Sequence, residues 1–137
     1  MKRFSRVKNP TLSVNFIFSQ EIIKITIMKG LNKVTLIGNL GNNSEVLTLE
    51  NQVKVAQFSL ATSDQFRDES GGKHTITDWH TIIMWRGLAD LAQKFLHKGS
   101  LVYLEGKLKT RSYENKEGLK VNVSEVVVDH FLMLDKK

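Results

Sequence analysis

The sequence contains no cysteine in 137 residues, which excludes a disulfide framework and thiolate chemistry and fits a reducing compartment. It contains one proline, Pro10, and that lies in the first 27 residues. No apolar run approaches the ~18 residues that a membrane-spanning helix needs. Charge of one sign is also scarcer than the total suggests. The formal net charge is +6, but residues 1–27 hold five cations and one anion, a net of +4, which leaves +2 for residues 28–137. Bulk charge therefore says little about the main domain, and a polyanionic partner must be argued from local clustering. The composition is that of an ordinary globular chain, 41% apolar and 25% charged, and the length suits one domain with a core.

Catalytic and metal-binding patterns are missing too. The four histidines, His74, His80, His97 and His130, lack the short spacing of a zinc site. "GGKH" lacks the first glycine and the Ser/Thr of a phosphate loop and reads as a turn. Asp64, Asp68, Glu69 and Asp78 cluster loosely. They could hold a metal in a nuclease, but most lie in a stretch that simply needs solvation. No catalytic residue, metal or cofactor is expected. "NNS" and "NVS" match the glycosylation pattern, with nothing else to suggest secretion.

What is present is a β pattern. Residues 1–27 have a basic start and a short apolar middle without a small-residue cleavage site. They read as an extension upstream of Met28. A processed targeting segment and an added strand are the alternatives. From Lys33, "KVTLIGNLG" alternates, as does "NQVKVAQFSLATSD" with Phe58 and Leu60 on one face. "DQFRDESGGKH" reads as a hairpin loop, and "TITDWHTIIMW" is the third predicted strand. The period then changes. Leu88, Leu91, Ala92, Phe95 and Leu96 follow helical spacing, with Asp90 near the start, Lys94 and Lys98 near the end and Gly99 as a stop. "SLVYLEGKLKTRSY", a turn at "ENKEG" and "LKVNVSEVVVDHFLML" complete the domain. The fold class is all-β. Five strands with one α-helix between the third and fourth is the order of an OB-fold barrel, assigned to residues 28–137.

On the third predicted strand Trp79, Thr81, Ile83 and Trp85 share a face. Turned inward, two indoles would bury their N–H groups in a small barrel; turned outward, they form an aromatic patch that needs a partner. Phe66 sits beside Arg67. On the fourth strand Lys107, Lys109, Arg111 and Tyr113 line one side and Leu108 points to the other. Flat rings interleaved with cations suit single-stranded nucleic acid, whose bases stack and whose phosphates attract Lys and Arg. The competing interpretation makes the tryptophans core and the lysines a solvated face.

The segments "LNKVTLIGNLG", "FSLATSDQFRD", "TDWHTIIMW", "LADLAQKFLHKGSLVYLEGKLKTRSY" and "SEVVV" closely resemble the bacterial and mitochondrial single-stranded DNA-binding proteins. The match is collinear from about Leu31 to Leu134. The resemblance implies an OB-fold that assembles as a homotetramer and wraps DNA during replication, recombination and repair. By motif position, Phe66, Trp79, Trp85 and Tyr113 fall where that family places base-stacking aromatics. Lys33, Arg86 and the row Lys107, Lys109 and Arg111 fall at phosphate contacts, and His80 at a subunit contact. It also implies a cytoplasmic, nucleoid-associated protein, with the mitochondrial matrix as the alternative, and no membrane partner.

Two departures stand out. "GNNSEV" replaces the family's usual "xDPEV", and the sequence ends at "LMLDKK" without the Gly/Gln-rich linker and acidic tip through which relatives recruit enzymes. Recruitment through such a tail is not expected. Two rivals remain open: a tailless OB-fold adaptor resembling primosomal protein B, acting through protein contacts, and an OB-fold nuclease.

Overall fold

The computed structural model describes residues 29–135. These form six strands and one helix: β1 (Val34–Leu40), β2 (Glu45–Thr48), β3 (Lys54–Arg67), β4 (Lys73–Trp85), α1 (Gly87–Phe95), β5 (Leu101–Glu114) and β6 (Lys120–Met133). The ladder order is β1-β5-β6-β4-β3-β2, and a further β1–β3 pairing closes it. Five strands make the barrel and the helix lies between the third and fourth of them, the expected OB-fold order. The seven elements lie in one compact unit that begins at Lys33.

β2 is the element the sequence pattern did not predict. Both β1 and β2 pair with β3, Leu40 opposite Leu60 and Glu45 opposite Gln57. They are two halves of one bent strand, interrupted at "GNNS". Side chains satisfy backbone groups around the break: Ser59 N–H donates to Asn42 Oδ1 at 2.9 Å and Lys98 N–H to Asn43 Oδ1 at 2.8 Å. Polar residues fit there because strand ladders cannot continue through a bend without leaving donors unpaired.

The alternation of β3 and β4 sets the core. Ala56, Phe58, Leu60, Ile82 and Met84 point inward with Val102, Leu104, Val126 and Val128. Ala89, Ala92 and Leu96 of α1 join them. Leu91 and Phe95, expected on the same apolar face, are exposed instead. The small alanines let the helix lie close, so the buried stripe is narrower than the spacing suggested. The helix also ends earlier than predicted: Leu96 is already extended, and Gly99 at φ 92° makes the turn into β5.

Two further corrections bear on function. The "DQFRDESGGKH" loop is mostly strand. Pairing of β3 with β4 runs without interruption from Val55↔Trp85 to Arg67↔Lys73, leaving a short turn at Asp68–Gly72. Phe66 thus belongs to β3. The last strand carries an irregularity: Glu105 pairs with His130 while Gly106 pairs with Val128, so Asp129 is the extra residue. This bulge lets Val126 and Val128 face the core, and Phe131 pack against it, despite their odd spacing.

Candidate nucleic-acid interface

Trp79, Thr81, Ile83 and Trp85 take the outward side of β4, because Ile82 and Met84 alternate with them and are fully buried. Both tryptophans are exposed, 63% for Trp79 and 42% for Trp85. The reading in which they form the core is thereby excluded. Arg86 follows at φ 58° and ψ −121°, a backbone conformation suited to glycine, where a side chain costs about 1–3 kcal/mol. That turn places Arg86 beside Lys54 at the end of β4, and Arg86 N–H donates to the Lys54 carbonyl at 2.8 Å.

The ladder carries the same face across two more strands. Ile83 pairs with Val127 of β6, and Val127 with Lys107 of β5. Paired residues share a side, so Lys107, Lys109, Arg111 and Tyr113 emerge on the tryptophan face. Val121, Val123 and Val127 are the half-buried cross-strand partners of Tyr113, Arg111 and Lys107. This is how a row of three cations is accommodated: Val127, Glu125 and Val123 stand opposite Lys107, Lys109 and Arg111, so no cation faces another across the β5–β6 ladder. A shallow depression of about 390 Å³ lies between the strands, lined by Gln57, Thr81, Arg111, Tyr113, Val123 and Glu125.

Arg111 differs from its neighbours. Its Nε donates to Glu125 Oε1 at 2.8 Å, and its guanidinium carbon lies 5.8 Å from the Tyr113 ring centroid. Glu125 is nearly buried. Arg111 therefore stabilises a carboxylate in the floor and supports the ring of Tyr113, while Lys107 and Lys109 carry the outward charge. The pairing spans 14 residues of sequence and depends on the β5–β6 register, so no local pattern displays it.

Trp79 has a seat that sequence reasoning missed. A Cβ added at Gly41 would lie 2.4 Å from Trp79 Cζ3, so the indole rests against the bare backbone that follows β1. Gly41→Ala should push the ring outward. With Trp85 replaced by Phe, the remaining Trp79 emission is expected to shift to the red while the melting temperature stays near its starting value. An unchanged spectrum would contradict this packing.

Two of the remaining predicted residues, Phe66 and His80, lie off that face. Phe66 has the opposite parity on β3 and pairs with His74 rather than with a tryptophan strand neighbour. His80 points to the core side of β4, half-buried, and its Nε2 lies 2.9 Å from Thr62 Oγ1. Lys33 precedes Val34, which pairs with Gly106 in the middle of β5, so Lys33 lies beside Lys107. The Tyr103 hydroxyl donates to Glu105 and holds that carboxyl below the usual carboxylate range; the Lys33 charge and His130, whose Nε2 is 2.6 Å from Glu105 Oε2, act in the same direction. The sequence pattern points to Arg67 beside Phe66 but not to Lys73. Arg67 and Lys73 face each other directly across the ribbon and share their parity with Trp79. Like charges placed opposite one another repel, so they favour an anionic partner over an empty surface. Among the described residues no group of histidines and acids could hold a metal ion, and no helix is long and apolar enough to cross a membrane.

The chain matches the model of the single-strand binding protein family over residues 31–134. It is 46% identical over 110 residues to single-stranded DNA-binding protein 1 of Chlorobaculum tepidum, covering 80% of this chain and 68% of that protein. It is 43% identical over 104 residues to the single-stranded DNA-binding protein of Neisseria meningitidis, covering 76% and 60%. Among solved structures it is similar to the Plasmodium falciparum SSB complex with ssDNA, with a TM-score of 0.71 and 34% identity over 79% of this chain and 98% of that one. The chain thus spans roughly two thirds of the length of the curated relatives.

Proposed function

The chain belongs to the single-strand binding protein family, and from that premise we propose that it binds single-stranded DNA without strong sequence preference, as a binding protein and not an enzyme. The observation that carries this reading is the outward pair Trp79 and Trp85 on a sheet face shared with Lys107, Lys109 and Tyr113. Bases stack on the rings whatever their identity, and lysines between them meet phosphates. Arg67 and Lys73 extend the path along the ribbon with Phe66 on its reverse side, Arg86 extends it past Trp85, and Lys33 widens it beside Lys107. The complex solved for the Plasmodium falciparum relative supports DNA as the ligand. The protein protects single strands in replication, recombination and repair, in the cytoplasm. We assign this activity to residues 28–137; residues 1–28 lie outside the described residues.

Affinity for oligo-dT, measured by anisotropy across a salt series, tests the electrostatic half. The logarithm of affinity should fall with the logarithm of salt at about −0.7 per neutralised phosphate. Lys107→Ala and Lys109→Ala should each flatten that slope by about 0.7, whereas Arg111→Ala should change it less because Glu125 already pairs its charge. A double lysine variant with an unchanged slope would show that this row faces only solvent.

We further propose a homotetramer with His80 at a subunit contact. One barrel offers a short groove, and Ile37 and Leu132 are exposed on its outer surface. Light scattering should give about four times the 15.6 kDa chain mass. His80→Tyr should lower that mass at dilute protein, since it enlarges the side chain and removes the Thr62 partner. A dimer in the unmutated protein would favour the adaptor alternative.

A further inference from the structure

The tip of the β3–β4 ribbon holds a cluster outside the tryptophan face. Phe66 and His74 are cross-strand partners whose rings stack, with centroids 5.2 Å apart and planes inclined by 23°. His74 Nε2 lies 2.7 Å from Asp68 Oδ2. Asp68 Oδ1 accepts the Gly72 N–H at 2.8 Å. The turn itself is closed by Asp68 N–H to the Gly72 carbonyl and Gly71 N–H to the Asp68 carbonyl, each 3.0 Å. The carboxylate is therefore fixed by the turn, the imidazole by the carboxylate, and the phenyl ring by the imidazole. His74 first, and then the Gly72 N–H, hold the Asp68 carboxyl below its ordinary range, so it remains an anion at neutral and mildly acidic pH. Phe66 is still 47% exposed, which leaves its second face open.

The charges around this ring have the wrong sign for DNA. The ladder gives no third strand beside the ribbon between Ala61 and Ile82, so the facing groups come from β3, the turn and β4. By parity, Asp64 and Asp78 share the side of Phe66 and His74, Asp68 sits at the tip and Glu69 follows in the turn. Arg67 and Lys73 emerge on the reverse side. His80 shares that side six residues further along β4, where it meets Thr62, and His74 is the one in contact with the Asp68 carboxylate; imidazoles titrate in the physiological range.

We propose that Phe66, His74 and Asp68 form a proton-sensitive base-stacking site, in which Phe66 takes an unpaired base on its open face and protonation of His74 cancels the Asp68 charge beside it. Neutral His74 leaves the pair at a charge of about −1, which repels the phosphates flanking the stacked base; imidazolium leaves it near zero. The grip on single-stranded DNA consequently tightens as pH falls below neutrality. This rests on the single-strand reading above.

The test is the affinity of the full chain for oligo-dT at about pH 8 and about pH 5.5, spanning the range in which imidazole titrates. Thymine has no group that titrates between them. Wild type is compared with His74→Gln, Asp68→Asn and Phe66→Ala, all at the same salt concentration; His80, His97 and His130 are common to the four proteins and cancel. Wild type should gain about threefold to tenfold more affinity on acidification than His74→Gln, the size expected for one unit charge near a phosphate in water. Asp68→Asn should bind more tightly than wild type at the higher pH. Phe66→Ala should bind more weakly and lose part of the pH response. A His74→Gln profile parallel to wild type would overturn the proposal while leaving single-strand binding intact. No binding by wild type at either pH would overturn the single-strand reading and this site with it.

Discussion

Trp79→Ala is expected to weaken oligo-dT binding by about fivefold to a hundredfold, because base–aromatic stacking contributes ~1–3 kcal/mol per base. The same substitution should leave the melting temperature nearly unchanged. Trp79 is 63% exposed and rests on Gly41 rather than in the core. A core tryptophan behaves in the opposite way: its truncation costs about 3–5 kcal/mol of stability. The two readouts together therefore separate a binding residue from a packing residue. Trp85→Ala should follow the same pattern. Loss of stability with affinity preserved would contradict the outward placement of β4.

A large stability effect is expected at Gly38. This residue sits on β1 opposite Val102 of β5, next to the point where β1 meets β3 and closes the barrel. A Cβ there would lie 2.2 Å from the Ala61 carbonyl oxygen and 3.0 Å from its carbon. Backbone, not the end of a flexible side chain, is in the way, so Gly38→Ala must push β1 away from β3. Overpacking of this kind costs about 1–3 kcal/mol. For a domain of this size each kcal/mol lowers the melting temperature by about 4–8 °C. Thermal unfolding followed by circular dichroism checks it, and an unchanged melting temperature would contradict the closure between β1 and β3.

The barrel was legible where alternation is strong. Phe58 and Leu60 on β3, and Trp79 through Trp85 on β4, announce both the strand and its faces, because a period of two ties side-chain direction to the backbone. The "KLKTRSY" row was legible for the same reason. Phe66 was not. Its surroundings are polar, and the ribbon continues through them on main-chain hydrogen bonds that any side chain permits. Four-residue β2 and the bulge at Asp129 were hidden likewise: neither changes composition, and both are set by how the barrel bends. The partnership of Arg111 with Glu125 and the seat of Trp79 on Gly41 needed tertiary register. In the sequence, Arg111 looks like one more phosphate contact; in the fold it is the cation whose charge is already matched.

The central claim is that the outward tryptophan face of β4 is a DNA-binding surface, and tryptophan emission under titration with oligo-dT tests it most directly. Trp79 and Trp85 are the two tryptophans of the chain, so the signal has no other source. Stacked bases quench indole, so emission should fall saturably, and the fall should shrink in Trp79→Phe and in Trp85→Phe. Emission that stays constant at saturating oligo-dT would contradict that claim.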